Sequence, residues 1–377
     1  MTDWPVKTLG DVCDLVNGAT PDTKVKEYWG GMHAWITPAE MGGLESPFLS
    51  ISRRTLSDKG LASCSATLVP PKTVILSSRA PIGYLIINEV PMATNQGCKS
   101  LIPKDDLDFS FLYYYLKANV ELLEALGTGT TFKELSGTQL KTVEIPVPPL
   151  EEQKRIVALL DAATARVTEL TACYEQSRTH ANNLFTSASR EAFESNPDWP
   201  VETIGDVCAV LDSLRKPITK RDRTSGDYPY YGATGIVDHV GDYIFDERLV
   251  LVGEDGAKWD AGDRTAFIAE GKYWVNNHAH VLRCKPGVLV DSWLTHYLTM
   301  SDLNRYVSGL TVPKLNQGSL VSIAIPVPPL VEQKRIVARL DSMRAKTSEM
   351  VAAYDAKLQA AKDLRQSILE AAFVGDL

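Results

Sequence analysis

The chain has 377 residues, of which 44% are hydrophobic and 23% are charged, and its formal net charge at pH 7 is −8. This size and balance are those of a globular protein with two or three domains, which excludes a disordered or fibrous chain. The acidic charge also argues against a protein that coats nucleic acid indiscriminately, although an acidic body can carry a local basic face.

Two pairs of repeated segments divide the chain into tandem units. WPVKTLGDVC at 4–13 returns as WPVETIGDVC at 199–208, with 8 of 10 positions identical. IPVPPLEEQKRIVALLD at 145–161 returns as IPVPPLVEQKRIVARLD at 325–341, with 15 of 17 positions identical. The stretches between these segments share only scattered pieces. A repeated frame with divergent filling is what the function has to explain.

Short strands and one longer helix are predicted in each body, bounded by Gly, Pro, Asn and Asp turns. In the first body, 73–77 and 83–87 read as strands and 109–126 reads as a helix. In the second body, 249–252 and 272–275 read as strands and 292–307 reads as a helix. Equivalent loops are expected at 93–97 and 274–278, and at 131–133 and 311–314. Both bodies are therefore expected to be compact α/β domains.

A long helix is predicted after each IPVPPL segment. Pro149 and Pro329 precede the helices, and Glu151, Glu152 and Glu332 place negative charge in the first turn, where the helix dipole favours it. Neither stretch contains Pro or Gly, so each helix can run roughly 40 residues, or about 60 Å. Apolar positions alternate at spacings of four and three, which is typical of a two-helix coiled coil. The alternative is an ordinary amphipathic helix on a globular core. The positions of this heptad register are Ile156, Leu160, Ala163, Val167, Leu170, Tyr174, Ser177, Ala181, Leu184 and Ala188, and then Ile336, Leu340, Met343, Thr347, Met350, Tyr354, Lys357, Ala361, Leu364 and Ile368.

The path of the chain decides the orientation of this coiled coil. The first helix ends by Asn196-Pro197 and leads into the second body, whose end starts the second helix. A body of roughly 130 residues has a radius of gyration of about 14 Å, too small to carry the chain back along a parallel pair. We therefore expect antiparallel helices and an internal repeat with a pseudo-two-fold axis. The expected division is a first body at 1–149, a central helix at 150–195, a second body at 196–329 and a distal helix at 330–377.

The motifs inside the frame carry a family resemblance. The first unit contains GATPDTKVKEYWGGMHAWIT at 18–37, SSRAPIGYLII at 77–87 and TNQG at 94–97. The second contains YPYYGATGIVDHVGDY at 228–243, VLVGEDG at 250–256 and WVNNHAHVL at 274–282. In this order, and with the duplicated frame, the chain resembles the specificity subunit of type I restriction-modification systems over nearly its whole length.

The resemblance implies a reader of double-stranded DNA with two target recognition domains, each taking one half of a bipartite asymmetric site. It implies that the helices set the spacing between the halves. It also implies assembly with two methyltransferase subunits into an adenine-methylating enzyme, and with restriction/translocase subunits into a nuclease. Two alternatives are a specificity subunit of a type IIB-like restriction assembly and a coiled-coil adaptor whose bodies bind proteins.

Candidate DNA contacts are basic residues that hold phosphates and amide side chains that reach base edges. The second unit has five cations within nine residues followed by an aromatic pair: Arg215, Lys216, Lys220, Arg221, Arg223, Tyr230 and Tyr231. The other cationic candidates are Lys24, Lys26, Arg53, Arg54, Lys59, Arg79, Lys133 and Lys314. The amide candidates are Asn95, Gln96, Asn276 and Asn277. The alternatives are a solvated basic loop, arginines paired with neighbouring acids, and asparagines that close a turn on their own backbone.

The start of each long helix is a candidate partner surface. Four side chains are the same in both copies, as expected if one kind of subunit docks twice: Glu152, Gln153, Lys154 and Arg155 return as Glu332, Gln333, Lys334 and Arg335. The alternative is that these residues cap each helix and brace it against its own body.

No enzyme, cofactor or metal site is expected. The VPPL segments at 147–150 and 327–330 lack the flanking residues of the Asn/Asp-Pro-Pro-aromatic motif of DNA methyltransferases. Residues 253–258 lack the spacing of a phosphate-binding loop, and no set of nucleophile, base and orienting residue emerges. The six cysteines form no CxxC pair, and buried free thiols are expected. The absence of a leader and of a long apolar run predicts a cytoplasmic protein without a membrane partner.

Overall fold

The computed structural model describes residues 4–44, 46–79, 81–129, 133–194, 196–309, 311 and 313–375. The chain forms two compact units. Unit 1 comprises Met1–Cys173 and Lys357–Leu377, and unit 2 comprises Tyr174–Ala356. Each unit therefore contains one α/β body together with parts of the two long helices.

The described elements of unit 1 are mostly short. The strands are β1 (Val6–Thr8), β2 (Cys13–Asn17), β3 (Trp29–Ile36), β4 (Phe48–Leu49), β5 (Arg54–Leu56), β6 (Val74–Ser78), β7 (Ile82–Asn88), β8 (Met92–Thr94), β9 (Cys98–Pro103) and β10 (Glu144–Pro146). The helices are α1 (Leu9–Val12), α2 (Pro38–Met41), α3 (Asp58–Ala62), α4 (Phe109–Ala118), α5 (Val120–Leu126), α6 (Gly137–Lys141) and the long α7 (Leu150–Glu194), which begins in this unit. They form a five-stranded sheet in the order β2-β9-β6-β7-β4, a three-stranded sheet β5-β3-β8 and the pair β1-β10.

Unit 2 repeats this plan with variations. Its strands are β11 (Val201–Thr203), β12 (Cys208–Val210), β13 (Tyr228–Gly232), β14 (Gly235–Val240), β15 (Phe245–Asp246), β16 (Leu249–Gly253), β17 (Ala266–Ala269), β18 (Lys272–Val275), β19 (Ala279–Cys284) and β20 (Ala324–Pro326). Its helices are α8 (Ile204–Val207), α9 (Asp291–Met300), α10 (Gln317–Val321) and the long α11 (Leu330–Val374). Two four-stranded sheets, β12-β19-β16-β17 and β14-β13-β18-β15, accompany the pair β11-β20.

The repeated frame closes each body upon itself. β1 pairs antiparallel with β10, and β11 pairs with β20 in the same register, so that Val6 faces Pro146 and Val201 faces Pro326. One more hydrogen bond follows each pair of strands. The Val147 N–H donates to the Pro5 carbonyl, and the Val327 N–H donates to the Pro200 carbonyl. In each unit, the opening and closing segments of the repeated frame therefore pair with each other.

The long helices run antiparallel, as the chain path predicts. In unit 1, Ile156 and Leu160 near the start of α7 share a core with Leu369 and Ala372 near the end of α11. In unit 2 the roles are reversed, because Ile336 and Leu340 near the start of α11 share a core with Phe193 near the end of α7. The expectation of two α/β bodies with an antiparallel helix pair and an internal repeat is confirmed.

The predicted heptad register is correct in the first turns and wrong further along. Ile156, Leu160 and Val167 are buried, but Leu184 is 51% exposed and its counterpart Leu364 is 49% exposed. Phe185 and the fully buried Ser189 take the inward positions instead. A straight α-helix drifts by roughly 20° per heptad against a strict seven-residue repeat, so the inward face moves by one residue after a few heptads. Leu170, Met350 and the predicted position Lys357 are likewise exposed.

The four predicted strands are confirmed as β6, β7, β16 and β18. The predicted helix at 109–126 is instead two helices, because Asn119 between α4 and α5 has φ −109° and ψ 25°, outside the helical region. In unit 2 the predicted helix at 292–307 ends at Met300 and is followed by a 3₁₀ turn.

The structure also bears on the predicted thiols, loops and membrane segments. Six cysteines are free, but Cys173 is exposed and not buried. Thr131, Phe132 and Val312 of the expected equivalent loops lie outside the described residues. No helix within the described ranges is long and apolar enough to cross a membrane.

Candidate nucleic-acid interface

The basic loop of unit 2, residues 211–223, presents three of its five cations to solvent. Lys216, Lys220 and Arg221 are exposed, and the side chain of Arg221 is 93% accessible, with Asp222 3.5 Å away. Lys220 and Arg221 lie on a short 3₁₀ turn, Lys220–Asp222. The loop is anchored beside Lys216, whose carbonyl accepts a 2.6 Å hydrogen bond from the indole Nε1 of Trp274. The 3.5 Å contact of Arg221 is with an exposed neighbouring acid, which contributes little, so these three side chains can reach a phosphate without breaking a buried contact.

Arg215 does not belong to this exposed set, and its prediction as a phosphate contact is corrected. Its side chain is 13% accessible and donates to Glu254 Oε2 at 2.5 Å and to the Ala279 carbonyl at 2.8 Å. Asp212 Oδ2 lies 3.2 Å away. Removing a buried cation from such partners would leave buried carboxylates unpaired, which costs more than a surface contact gains. Arg215 is an internal ion-pair residue.

Arg223 is also held internally. Its Nη1 donates to Asp238 at 2.8 Å, and its guanidinium lies 4.4 Å from the ring centre of Tyr230. Tyr230 is 1% exposed, and its hydroxyl accepts a 2.9 Å hydrogen bond from the Ile218 N–H. Tyr231 is half-buried against Phe267 and Tyr273. The predicted aromatic pair therefore supports the base of the loop, and Tyr230 is removed from the list of DNA contacts.

An ion cluster lies beneath the basic loop. His280 is wholly buried, with Nδ1 2.5 Å from Asp212 Oδ2 and Nε2 2.7 Å from the Leu315 carbonyl. Lys314 Nζ donates to Glu254 Oε1 at 2.8 Å. Burial alone would raise the pKa of Glu254, but hydrogen bonds from Lys314 and Arg215 bring it below its ordinary value. Lys314 is thus engaged with an internal acid, in contrast to its prediction as a DNA contact.

Three members of this cluster have donor atoms within 4.8 Å of one another, an arrangement that can hold a metal ion: Asp212, Glu254 and His280. Their oxygens and ring nitrogens already bond Arg215, Lys314 and a backbone carbonyl. A metal ion would have to displace these two cations, so the group fits an internal ion cluster better than a metal centre. The sequence analysis missed Asp212 and Glu254. The spacing of Asp212 and Arg215, three residues apart, is the local signal that indicates their pairing.

The asparagines of the two equivalent turns bond their own backbone. Asn95 follows β8, and its Oδ1 accepts a 2.6 Å hydrogen bond from the Gly97 N–H. Asn276 follows β18, and its Oδ1 accepts a 2.8 Å hydrogen bond from the His278 N–H. Asn276 is also 6% exposed. The turn-closing alternative therefore describes both residues, and the exposed side chains in these turns are the next ones, Gln96 and Asn277.

Three of the predicted cations of unit 1 lie near one edge of the three-stranded sheet. Arg54 lies on the edge strand β5, with its guanidinium 3.7 Å from the ring centre of Trp29. Lys26 and Lys59 are exposed on two segments that touch through the backbone, because the Ser57 N–H donates to the Tyr28 carbonyl at 3.0 Å. A side chain at Gly60 would meet that carbonyl at 2.1 Å, so glycine permits this contact. Lys24 and Arg53 are also exposed.

Arg79 and Lys133 differ in their surroundings. Arg79 is partly buried and lies 3.6 Å from Glu134 Oε2, the paired arrangement that the sequence analysis left open. Lys133 is exposed.

The backbone bridges show that the position equivalent to Lys314 is Glu134, not Lys133. Glu134 forms a β-bridge with Thr128, and Lys314 forms the corresponding β-bridge with Ser308. The expected correspondence of Lys133 with Lys314 is therefore shifted by one residue.

The chain can be compared with known proteins at this point. A family model described as the type I restriction modification DNA specificity domain matches residues 1–176 and again residues 196–359. The chain belongs to this family. Its two units are thus two copies of one specificity domain, with the same frame and different loops.

Relatives of similar length carry the same kind of description. The MjaIX specificity subunit of a type I restriction enzyme from Methanocaldococcus jannaschii is 28% identical, covering 100% of this chain and 94% of the relative. The EcoprrI specificity subunit from Escherichia coli is 27% identical, covering 91% and 88%. In fold, the chain is similar to the HsdS subunit from Thermoanaerobacter tengcongensis, with a TM-score of 0.63 at 21% identity over 100% of this chain and 98% of that one. A chain from a structural study of complex assembly in the type I R-M system gives a TM-score of 0.81 at 21% identity, over 99% and 98%.

Of the four repeated polar residues at the start of each long helix, one is buried. Gln153 is wholly buried, and its amide group accepts from the Asp108 N–H at 2.8 Å and donates to the carbonyls of Asp106 at 2.9 Å and Pro148 at 2.8 Å. Gln333 makes the same three contacts in unit 2, at 2.9, 2.9 and 2.8 Å. Both glutamines brace a helix against its own body. They are therefore removed from the predicted partner surface.

The neighbouring side chains remain on the surface. Lys154, Arg155, Lys334 and Arg335 are exposed. Arg155 donates to Glu152 at 2.8 Å, and Arg335 makes the equivalent bond to Glu332 at 2.6 Å. The hydrogen bond from each arginine lowers the pKa of its glutamate. The same charged pattern is thus displayed at the start of both long helices.

Proposed function

We propose that this chain is the sequence-specific DNA-recognition subunit of a type I restriction-modification complex. In this role it binds double-stranded DNA at a bipartite asymmetric site and directs adenine methylation and restriction by its partners. The partners are two methyltransferase subunits and the restriction/translocase subunits, and the chain itself is non-catalytic and acts in the cytoplasm. The observation that carries the proposal is the double match to a DNA specificity domain, at 1–176 and 196–359.

Two target recognition domains, at 1–149 and 196–329, account for the contrast between frame and filling. The repeated strands and helix starts make the same backbone hydrogen bonds in both units. The loops that differ carry the exposed cations and amides. Sequence is read by side chains that reach base edges, whereas the scaffold only positions them. Each domain therefore reads its own half-site, and the helices at 150–195 and 330–377 act as the spacer.

The phosphate contacts that we propose are the predicted cations whose side chains are exposed. In unit 2 these are Lys216, Lys220 and Arg221. In unit 1 they are Lys24, Lys26, Arg53, Arg54, Lys59 and Lys133, with Gln96 beside them and Asn277 as its counterpart in unit 2. A cation without an internal acidic partner gains most from a phosphate, since nothing has to be broken before it binds.

The test is a salt titration of DNA binding by the assembled complex. Each neutralised phosphate contributes about 0.9 to the slope of log K against log salt, so Lys220→Ala with Arg221→Ala should lower the slope by about 2 and weaken binding. A matched control replaces Arg339 and Lys346, two exposed cations of α11, and should leave slope and affinity unchanged. If the loop variant also leaves both unchanged, the reading as a protein-binding adaptor is favoured and the assignment of this loop fails.

We further propose that the exposed charges at the two helix starts dock the methyltransferase subunits. Glu152, Lys154 and Arg155 in unit 1, with Glu332, Lys334 and Arg335 in unit 2, offer one pattern twice. A repeated surface of this kind suits two copies of one partner.

Charge reversal separates docking from bracing. Lys154→Glu together with Lys334→Glu should abolish the binding of two methyltransferase subunits per chain, as measured by co-purification. The free energy of unfolding of the chain alone should be unchanged. Arg166→Glu together with Lys346→Glu is the control, because these positions are equally exposed and equally repeated on the same helices. Intact two-to-one assembly of the first variant would contradict the docking surface.

A further inference from the structure

Unit 1 contains a polar cavity that the proposed DNA and partner contacts do not use. Its volume is about 340 Å³, which is within the range of small-ligand sites. It lies where α4 meets the loop after α2 and parts of both long helices. The polar side chains that line it include Ser46, Tyr84, Tyr113, Tyr114, Lys117 and Arg365.

Two cations face this cavity without an acidic partner in the part of the chain that the structure describes. Lys117 Nζ donates to the Tyr113 hydroxyl at 2.9 Å and makes no ion pair with any described residue. Nε of Arg365 is buried and has no hydrogen-bond partner among the described residues. A buried N–H of a cation without an acceptor is costly, because desolvation is not compensated. Asp161, an acid on α7, is already the acceptor for the Tyr114 hydroxyl at 2.6 Å.

The electrostatics of Lys117 agree with this geometry. Burial, and then the charge of Arg365, lower its pKa from the ordinary 10.5 to about 8. An acid within reach would have had the opposite effect on the pKa. The described residues that line the cavity therefore carry an excess of positive charge, which an incoming anion would neutralise.

We propose that this cavity is a binding site for a phosphate group. The donors that face it are numerous: the ammonium of Lys117, the guanidinium of Arg365 and the hydroxyls of Ser46 and Tyr84. A phosphate has enough oxygens to accept from all of them, and charge-assisted bonds of this kind are about twice as strong as neutral ones. The group comes either from free phosphate or from the backbone of bound DNA. The first case is independent of the proposed function, and the second rests on it.

Unit 2 supplies an internal comparison. Its cleft beside α9 has a volume of about 270 Å³ and is lined by two arginines, Arg264 and Arg344. No lysine lines it among the described residues. An acid, Asp341, is present in the cleft and pairs with His296 at 2.8 Å. Because this acid lines the cleft together with the arginines, the cleft of unit 2 has a smaller excess of positive charge than the cavity of unit 1, and we expect phosphate to bind more tightly in unit 1.

Calorimetric titration of the full chain with inorganic phosphate tests the site, with chloride at matched ionic strength as the blank. Lys117→Met and Arg365→Met should each weaken phosphate binding by about tenfold or more, the effect of losing one hydrogen bond to a charged group. Arg344→Met in the cleft of unit 2 should leave the affinity unchanged. No phosphate-specific heat with the unaltered chain, or equal binding by all variants, overturns the proposal.

A second measurement keeps the test valid if a variant folds poorly. In the unaltered chain, an amine-reactive reagent at pH 8.5 should modify Lys117, and phosphate should protect it. Absence of protection counts against the site.

Glu45 adjoins two lining residues in the sequence and lies outside the described residues. If phosphate binds only to the Glu45→Gln variant, that carboxylate is the natural occupant and the proposal fails.

DNA titrations of the assembled complex distinguish the two sources. If the phosphate belongs to DNA, Lys117→Met lowers the salt slope of DNA binding by about 1. If it is a free ion, the slope is unchanged while calorimetric binding is lost. Loss of DNA binding by the loop variant Lys220→Ala with Arg221→Ala tests the proposed function separately, so the two ideas can fail independently.

Discussion

Replacing Gln153 by leucine should destabilise unit 1 even in the absence of any partner protein. The glutamine amide joins α7 to the loop before α4 through three hydrogen bonds to backbone groups of Asp106, Asp108 and Pro148. Leucine has a similar volume but offers no donor or acceptor. The substitution would leave one buried N–H and two carbonyls without their partner.

The magnitude follows from the number of groups left unpaired. Each buried backbone group that loses its partner costs about 1–3 kcal/mol, and hydration of part of the loop recovers some of this. We therefore expect a loss of about 3–5 kcal/mol in the free energy of unfolding of unit 1. Gln333→Leu should have the same effect on unit 2, because the three bonds are repeated there. Gln176→Leu, on an exposed position of α7, should change stability by about 0.5 kcal/mol or less.

Urea unfolding with hydrogen exchange read by mass spectrometry is the assay, since the chain has two units that need not unfold together. The amide of Asp108 should exchange faster in Gln153→Leu, and that of Val290 in Gln333→Leu. A loss below about 0.5 kcal/mol, or exchange that is unchanged at both amides, would refute the bracing role. The glutamines would then have to act on a partner after all.

Three further predictions concern the core and the ion cluster. Glu254→Gln should remove part of the pH dependence of the stability of unit 2. Because the folded-state pKa of Glu254 lies below its ordinary value, its stabilising contribution is present above about pH 4.5 and is lost as the pH falls through the folded pKa. Unfolding of unit 2 measured at several pH values will show the difference. Leu160→Ala should cost about 2–5 kcal/mol in thermal or urea unfolding, whereas Leu184→Ala should cost far less, because only the first is buried. Gly83→Ala should destabilise unit 1 by about 1–3 kcal/mol, because its φ is +109° and the added carbon would meet Val120 at 2.5 Å, and an unchanged melting temperature would contradict this.

Much of the fold follows from the repeated segments. The helices after Pro149 and Pro329 depend on local features that recur twice, namely a proline before the helix and acids in its first turn. The orientation of the helices followed from the size of the body between them. The predicted register failed at several positions after the first turns, from Leu170 onward in α7, because a heptad pattern assumes supercoiling, while the burial pattern follows the period of a straighter helix.

The candidate site was only partly predictable, because exposure depends on partners that are distant in the sequence. Arg215 and Lys216 are neighbours in the chain, yet Arg215 is paired with Glu254, 39 residues away, and Lys216 is exposed. No local rule separates them. Asn95 and Asn276 are the opposite case, since an asparagine that bonds the N–H two residues on is a local turn motif.

The two copies differ most informatively where they exchange charges. In unit 1 the backbones of Arg79 and Glu134 form a β-bridge, and in unit 2 those of Asp255 and Lys314 form the equivalent one, so the side-chain charge is reversed at both positions. Lys314 also pairs with Glu254, the residue before Asp255, at 2.8 Å. The backbone contact is equivalent in both units, because the Leu135 N–H donates to the carbonyl of Ser78, the last residue of β6, and the Leu315 N–H donates to the carbonyl of Glu254, the residue after β16. A unit that combined the strand of one copy with the loop of the other would place like charges together, which is unfavourable in a partly buried site. At this pair of positions the two units therefore differ by a coupled exchange of charge within an equivalent backbone, and this keeps each loop electrostatically matched to its own body.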